Sequence, residues 1–134
     1  MTTTLVDSNV LLDFLNEEEE WFDWSQSMLR DRAELGAIAV NPVIYAEVSL
    51  GYDRIEDLEA VLPTTYFIRL PLPCEAAFLA ARCFRTYRRR GGTKRSPLPD
   101  FFIGAHAAVA GLTLLTRDAR RYRHYFPKLT IIAP

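Results

Sequence analysis

The chain has 134 residues, of which 49% are hydrophobic and 25% are charged, as in ordinary globular domains. A chain of this length buries about two-thirds of the surface exposed by its unfolded form, so we expect one domain spanning residues 1–134. No run approaches the ~20 apolar residues of a membrane span, and the N-terminus lacks a secretion signal, which predicts a cytoplasmic protein without membrane contact.

Charge is distributed unevenly, although the formal net charge is only −1. Residues 1–81 contain 15 acidic and 4 basic residues, whereas residues 82–134 contain 2 acidic and 12 basic residues. This asymmetry indicates that one side of the protein meets a polyanion while the other carries acidic surface. Charged helix faces also serve solubility alone, so both interpretations stay open here.

Strand and helix signals alternate along the first half of the chain. In chain order we expect a strand at Thr3–Asp7, a helix at Val10–Leu15, a second helix opening at Glu17–Glu20, a strand at Ala37–Val40, a third helix capped by Asn41-Pro42 and a fourth at Ile55–Leu62. The acids of Glu17–Glu20 suit a first helical turn because the helix dipole is positive there.

The alternation continues in the second half. In chain order we expect a strand at Tyr66–Leu70, a long helix from about Cys74 to Arg90, a flexible basic loop at Gly91–Ser96, a helix at Phe101–Ala110, a strand at Leu112–Thr116, a short helix at Asp118–Tyr122 and a last strand at Leu129–Ile132. Either Ser96-Pro97 or Pro99-Asp100 opens the helix at Phe101–Ala110, and Gly111 closes it.

This alternation implies βαβ crossovers, in which helices connect parallel strands. We therefore predict an α/β fold, a three-layer α/β/α sandwich with a mostly parallel sheet of four to five strands. Cys74 and Cys83 lie nine positions apart in one predicted helix, so about 13 Å separates them, beyond the ~7 Å reach of a disulfide. We expect both cysteines to be reduced, buried thiols.

Four acidic residues lie at breaks in the apolar pattern, and we expect them to converge. Asp7 and Asp118 directly follow strands, whose carboxyl ends share one edge of a parallel sheet. Asp100 opens the helix leading to the Asp118 strand, and Glu47 lies within the helix after the second strand. Singly, each acid also fits a helix cap or an exposed helix residue. Their apolar neighbours favour a shared site, because carboxylates in such surroundings are paired, protonated or metal-bound.

Clustered carboxylates suit a hard divalent cation, Mg²⁺ or Mn²⁺. Zinc is not expected, because the two cysteines are too far apart to chelate together and His106 and His124 lack a close partner. We interpret both histidines as structural or surface residues. An acidic Mg²⁺ site beside basic surface suits phosphodiester hydrolysis, in which the metal activates water and stabilises the leaving oxygen.

Four ordered segments resemble the motifs of PIN-domain ribonucleases, most closely those of the VapC toxins of VapBC toxin–antitoxin systems. The segments are Leu5–Asp13, Ala46–Val48, Leu98–Ala107 and Leu114–Asp118, and the likeness extends from about Thr3 to Ile132. The resemblance implies Mg²⁺- or Mn²⁺-dependent endoribonuclease activity on RNA, inhibition by a cognate VapB-type antitoxin, and a homodimer. It assigns Asp7, Glu47, Asp100 and Asp118 as catalytic metal ligands.

The same motifs imply supporting residues. Thr116 matches the small hydroxyl residue beside the last acid, and Asn9 matches a position that orients Asp7. Asp13 also matches a polar position, but an ordinary helix residue explains it equally well. The last acid varies most within the family, so Asp118 is either a direct ligand or a residue one step removed from the metal.

A basic segment, Arg82–Arg95, leads directly into Asp100. We interpret it as a clamp on RNA phosphates, with Tyr87 placed to stack a base. The candidate phosphate contacts are Arg88, Arg89, Arg90, Lys94 and Arg95. The alternative is a solvated helix end whose arginines stabilise the helix dipole.

The first two helices carry many apolar residues for helices that also need polar faces. These residues are Leu11, Leu12, Phe14, Leu15, Trp21, Phe22 and Trp24. We expect part of the set to form an exposed groove, where the resemblance places an antitoxin helix. Ordinary core packing is the alternative.

Two other functions stay open. Asp7-Ser8-Asn9-Val10 weakly resembles the first motif of haloacid-dehalogenase-type phosphatases, whose first acid is a nucleophile, although Lys94 is a poor match for the lysine that mechanism needs. A catalytically idle RNA- or protein-binding module on the same fold is the other. Clustered acids argue against an idle module, since like charges are costly to keep together.

Overall fold

The computed structural model describes residues 2–95 and 98–134, and at its centre lies a five-stranded sheet whose paired strands all run parallel. The strands are β1 (Thr4–Val6), β2 (Ile38–Val40), β3 (Phe67–Arg69), β4 (Thr113–Leu115) and β5 (Ile131–Ile132). Their order in the sheet is β3-β2-β1-β4-β5. The predicted α/β fold with a parallel sheet of four to five strands is confirmed.

Helices connect the strands on both faces of the sheet. They are α1 (Ser8–Leu15), α2 (Phe22–Leu35), α3 (Pro42–Ser49), α4 (Ile55–Val61), α5 (Cys74–Arg89), α6 (Pro99–Ala110) and α7 (Arg120–Tyr125). The chain moves outward from β1 to β3 and then returns to β4 on the other side of β1, so the right-handed crossover rule predicts α1–α4 on one face and α5–α7 on the other. Among the described residues, no helix combines the length and apolar character needed to cross a bilayer.

Local chemistry explains two predicted helix boundaries. The Asn41 side-chain oxygen accepts a hydrogen bond from the Ile44 N–H at 2.9 Å and caps α3, and Pro42 occupies the first turn. Gly111 ends α6 with a φ of 67°, a left-handed conformation that favours glycine. The helix α6 begins at Pro99, whereas the other predicted start, Ser96-Pro97, lies outside the described residues.

The predicted starts of two helices are wrong. Glu17–Glu20 does not open α2, which begins at Phe22, because Glu17 has a φ of 48° and turns the chain before the helix. Asp118 does not open α7, which begins at Arg120. Its N–H donates to the Thr116 hydroxyl oxygen at 3.1 Å, which holds Asp118 outside the helix.

The two cysteines differ in exposure. Both thiols are free, but Cys74 is exposed and only Cys83 is buried, so the expectation of two buried thiols is wrong for Cys74. Cys74 is the first residue of α5, whereas Cys83 packs in the core, where burial raises the pKa of its thiol.

A buried histidine connects the helices that carry Glu47 and Asp100. His106 on α6 is 1% exposed, and its Nδ1 lies 3.0 Å from the side-chain nitrogen of Asn41, the cap of α3. The Asn41 nitrogen can only donate, so Nδ1 accepts and the ring proton resides on Nε2. Burial lowers the pKa of His106 from its usual 6.5, which keeps the ring neutral and agrees with a structural role.

Acidification should destabilise the wild-type protein through His106, and His106→Asn should remove that part of the pH dependence. Below pH 6.5 the unfolded chain protonates this histidine before the folded state does, so stability falls by up to about 1.4 kcal/mol per pH unit. Asparagine keeps an acceptor atom on Cγ, where Nδ1 was. Thermal unfolding between roughly pH 7.5 and pH 5 measures the effect, with His124→Asn on the surface as the control. If the melting temperatures of wild type, His106→Asn and His124→Asn changed equally with pH, this role of His106 would be contradicted.

Candidate active site

The candidate site lies where the strand order reverses, between β1 and β4. At such a point the two strands send their chains to opposite faces, and a crevice opens at their carboxyl ends. Val6 pairs with Leu115, and the backbone N–H of Asp7 donates to the Leu115 carbonyl at 2.9 Å. The residues that follow the two strands, Asp7 and Thr116, are therefore neighbours.

Asp7 is the most buried of the four predicted acids, with 4% of its surface exposed. One carboxylate oxygen, Oδ1, accepts from the Ser8 N–H at 2.8 Å and caps α1. The other, Oδ2, accepts from the Thr116 hydroxyl at 2.8 Å and from the Tyr122 hydroxyl at 2.9 Å. The same side chain thus serves as the helix cap and as part of the site.

A hydroxyl links Glu47 to Asp7. The Ser8 side chain, adjacent to Asp7 at the start of α1, donates to Glu47 Oε1 at 2.9 Å. Glu47 is half-buried on α3. Burial raises the pKa of Glu47, the hydrogen bond from Ser8 opposes this, and the charges of Asp7 and Asp100 add to the rise.

Tyr122 occupies the position between Asp7 and Asp100. Its hydroxyl lies 2.9 Å from Asp7 Oδ2 and 3.3 Å from Asp100 Oδ1, and the residue is 1% exposed. Burial and the charges of the two carboxylates raise the pKa of Tyr122 well above its usual value, so the hydroxyl keeps its proton. Asp100 also faces Arg121 across 3.6 Å.

Asp118 joins the site through its backbone. Its carboxylate belongs to an exposed residue, while its N–H donates to Thr116 Oγ. Asn9 donates from its amide nitrogen to Thr116 Oγ at 3.3 Å and accepts from the Arg117 N–H at 3.1 Å. Asn9 therefore acts on Asp7 through Thr116 rather than by direct contact.

Burial of the acids in this site makes their negative charge unfavourable. Burial is the main cause that raises the pKa of both Asp7 and Asp100. The charge of Asp100 raises the pKa of Asp7 further, and the charge of Asp118 raises that of Asp100. Hydrogen bonds to Asp7 and the Arg121 guanidinium beside Asp100 only partly offset these effects.

The donor chemistry of Asp7, Glu47 and Asp100 fits a hard divalent cation, because all three offer carboxylate oxygens and a cation would relieve their mutual repulsion. Within residues 2–95 and 98–134, however, no three acidic, histidine or cysteine side chains form a group that could hold an ion. The hydroxyls of Ser8 and Tyr122 make hydrogen bonds to these carboxylates instead. Cation binding would therefore require the acids to exchange hydroxyl contacts for the ion.

Asp13 has a larger structural role than an ordinary helix residue. It is 3% exposed and accepts from Arg117 Nε at 2.8 Å and Nη2 at 3.1 Å. Ser25 donates to the same carboxylate at 3.0 Å, and the Arg117 guanidinium lies 5.3 Å from the Trp21 ring centroid. These contacts attach the segment between β4 and α7 to both α1 and α2.

The predicted RNA clamp lies beside the acids rather than among them. The segment Arg88–Arg90, at the end of α5, is exposed, as are Lys94 and Arg95 in the following loop. Arg90 Nη1 contacts His124 Nε2, which attaches the clamp to α7, the helix that carries Tyr122.

The structure corrects the expectation that Tyr87 stacks a base. Its hydroxyl accepts from the N–H groups of Thr93 at 3.3 Å and Lys94 at 3.4 Å. Its ring packs against Phe84 and Phe101, with centroids 6.0 Å and 5.9 Å away. Tyr87 therefore shapes the basic loop instead of presenting a free ring.

Sequence reasoning missed the contributions of Ser8, Tyr122, Arg121 and the Asp13–Arg117 pair. Ser8 had a local signal, a hydroxyl directly after the first acid, and Asp13 had one as a polar position of the first motif. Nothing distinguishes Tyr122 from its aromatic and basic neighbours in α7, and 104 positions separate Asp13 from Arg117.

The chain belongs to the PIN-domain family, whose sequence profile matches residues 4–127 and so includes all four acids. Its fold is similar to those of solved structures that include the following three. VapBC2 of Rickettsia felis, bound to a promoter DNA fragment, has a TM-score of 0.73 at 16% identity, covering 99% of both chains. VapBC-1 of nontypeable Haemophilus influenzae has a TM-score of 0.73 at 15% sequence identity, covering 98% of both chains. DNA-bound VapBC of Salmonella typhimurium has a TM-score of 0.69 at 21% sequence identity, covering 99% of this chain and 98% of that chain. A comparison with curated proteins finds no match.

Asp7→Asn should raise the melting temperature of the metal-free protein by several degrees at neutral pH. Burial raises the pKa of Asp7 from 3.8, so the folded state holds the proton more tightly than the unfolded chain does. The resulting destabilisation is absent below pH 3.8 and complete above the raised pKa. Thermal unfolding in EDTA at a series of pH values tests this, with the exposed Asp31→Asn as control. A variant no more stable than wild type at neutral pH would mean that the hydrogen bonds to Asp7 outweigh its desolvation.

Proposed function

We propose that this protein is a Mg²⁺- or Mn²⁺-dependent endoribonuclease and the VapC-type toxin of a type II toxin–antitoxin system. The observation that carries the proposal is the buried Asp7 carboxylate at the β1–β4 crevice, bridged by Tyr122 to Asp100, in a PIN-family chain. Buried carboxylates with raised pKa values reduce folding stability, so a cluster of them in a crevice supports a functional requirement for charge there.

In this proposal Asp7, Glu47 and Asp100 hold the cation, and Asp118 stands at the exposed side of the site. The bound cation would supply an activated water and neutralise charge on the scissile phosphate. Ser8, Thr116 and Tyr122 keep the carboxylates close together through the hydrogen bonds described above, and the ion replaces some of these contacts when it binds. Asn9 keeps Thr116 oriented, and the Asp13–Arg117 pair keeps the segment containing Thr116 and Asp118 against α1.

RNA backbone phosphates are the proposed ligands of the basic clamp. Its contact residues are Arg88, Arg89, Arg90, Lys94 and Arg95, all exposed. Arg88 Nη1 donates to the Lys94 carbonyl at 2.7 Å, so the end of α5 and the loop form one surface. That surface adjoins α7 at His124, which supports a path for RNA from the clamp toward the acids.

The two alternative functions gain less support. The phosphatase mechanism needs a lysine, and Lys94 lies exposed in the loop after α5, where its carbonyl accepts a hydrogen bond from Arg88. A catalytically idle module does not need Asp7, Glu47 and Asp100 to share one desolvated site at a cost in stability.

Asp100→Asn should reduce metal-dependent RNA cleavage by at least about 100-fold, because the carboxylate is a proposed metal ligand. The assay incubates purified, antitoxin-free protein with labelled structured and single-stranded RNAs in Mg²⁺ or Mn²⁺, and in EDTA. Asp57→Asn, an exposed acid on α4, is the matched control and should retain activity. Cleavage that persists in EDTA or in Asp100→Asn would reject the proposed site, and folded protein inactive on every RNA would favour the idle module.

The proposed protein partners are a VapB-type antitoxin and, from the resemblance, a second copy of the chain. The three similar structures carry the name VapBC, which supports the antitoxin as a partner. In the apolar set of the first two helices, Leu11 is fully buried and the other members are half-buried. A surface cleft of about 610 Å³ lies beside that set, and its lining includes Phe14, Leu29, Val61, Tyr66 and Phe67.

Tyr66→Glu should weaken binding of the cognate antitoxin by about tenfold or more, because a charge would replace apolar contact area in that cleft. Binding should also change the fluorescence of Trp21 or Trp24, which pack edge to face near the cleft helices. Phe78→Glu on α5, another exposed aromatic residue at 63%, is the control and should bind normally. Normal binding by Tyr66→Glu without a fluorescence change would place the antitoxin on another surface.

A further inference from the structure

A second charged surface faces the candidate acids across a cleft of about 550 Å³ between the start of α6 and α7. Its lining residues are Asp100, Asp118, Arg120, Arg121, His124 and Tyr125. The two acids belong to the site already described, whereas the arginines and the histidine come from α7. None of these basic residues lies in the Arg82–Arg95 segment from which the clamp was predicted.

The α7 arginines are available to a ligand. Within residues 2–95 and 98–134, Arg120 takes part in no ion pair and is exposed. Arg121 has a single ionic contact, 3.6 Å from Asp100, and the two side chains are 44% and 39% exposed. An ion pair that is long and solvated contributes little stability, so Arg121 can exchange Asp100 for a stronger anionic partner.

Electrostatics favours a phosphate as that partner. Two carboxylates in an open cleft repel a polyanion, so a nucleic acid reaches them only where nearby cations offset the charge. Arginine is suited to this task because its guanidinium donates two parallel hydrogen bonds to phosphate oxygens. The contact between Arg90 and His124 makes the α7 wall continuous with the end of α5.

We propose that Arg120 and Arg121 form a phosphate-binding subsite for a single RNA strand, which holds a backbone phosphate beside the one at the acids. The identification of the polyanion as RNA rests on the proposed function, whereas the subsite itself rests on the charges and geometry of the cleft. Arg121 leaves Asp100 for the RNA phosphate, so substrate binding also frees a carboxylate oxygen of Asp100.

The test compares three variants of one helix. Arg120→Gln and Arg121→Gln each remove one positive charge from the cleft wall. Arg123→Gln removes the same charge from an exposed residue of α7 that is not among the described residues lining the cleft. Fluorescence anisotropy of a labelled single-stranded RNA in EDTA, over a series of salt concentrations, measures binding without hydrolysis, and thermal unfolding verifies that each variant is folded.

We expect Arg120→Gln and Arg121→Gln to bind the RNA about three- to tenfold more weakly than Arg123→Gln. Each should also lower the log–log salt slope by about 0.7, the change for one lost phosphate contact on a single strand. Equal affinities and slopes for all three variants, whether reduced or not, would overturn the subsite, because only net charge would then matter.

These outcomes separate the subsite from the proposed enzyme. A selective loss of RNA binding in protein that never cleaves RNA would retain the subsite and reject the nuclease. Metal-dependent cleavage by wild type, with unchanged binding in Arg120→Gln and Arg121→Gln, would retain the nuclease and reject the subsite.

Discussion

The parallel pairing of β1 with β4 is the constraint on which the rest of the site depends. It aligns Val6 with Leu115 at the point where the strand order reverses, so the residues after both strands enter one crevice. Asp7 arrives there as the cap of α1, and Thr116 arrives with a hydroxyl that reaches it at 2.8 Å. A one-residue slip of this register would turn every side chain of the slipped strand to the opposite face and separate the pair.

Hydroxyl groups hold the acids close together. Ser8 from α1, Thr116 from the segment after β4 and Tyr122 from α7 each donate to a carboxylate. Because the donors come from three different elements, the carboxylates stay close even though their charges raise one another's pKa. This arrangement lowers the stability of the folded chain. Such a loss of stability is expected where function requires concentrated negative charge.

Much of the fold, and the approach of Asp7, Glu47 and Asp100 to one edge of the sheet, could be predicted from local chemistry and parallel strand pairing. Asn41-Pro42 and Gly111 signal helix ends by rules within a few residues of the chain, and acids among apolar neighbours identify Glu47 and Asp100. Contacts between distant segments leave no such signal. Tyr122 resembles any buried aromatic residue until the fold places its hydroxyl between two carboxylates. The predicted start of α2 was wrong for a related reason. The four acids Glu17–Glu20 suit a first helical turn, but the backbone turns at Glu17 before the helix begins.

The uneven charge of the chain acquires a physical meaning once the fold is known. Most of the basic residues follow position 81, at the end of α5 and on α7, and the Arg90–His124 contact brings these two regions together. The acids of the site come from both halves of the chain, Asp7 and Glu47 from the acidic half, Asp100 and Asp118 from the basic half. Opposite charges therefore meet within one cleft even though the protein as a whole is nearly neutral. Local field rather than net charge decides whether a polyanion approaches, because at physiological salt a charge acts over only about 8 Å.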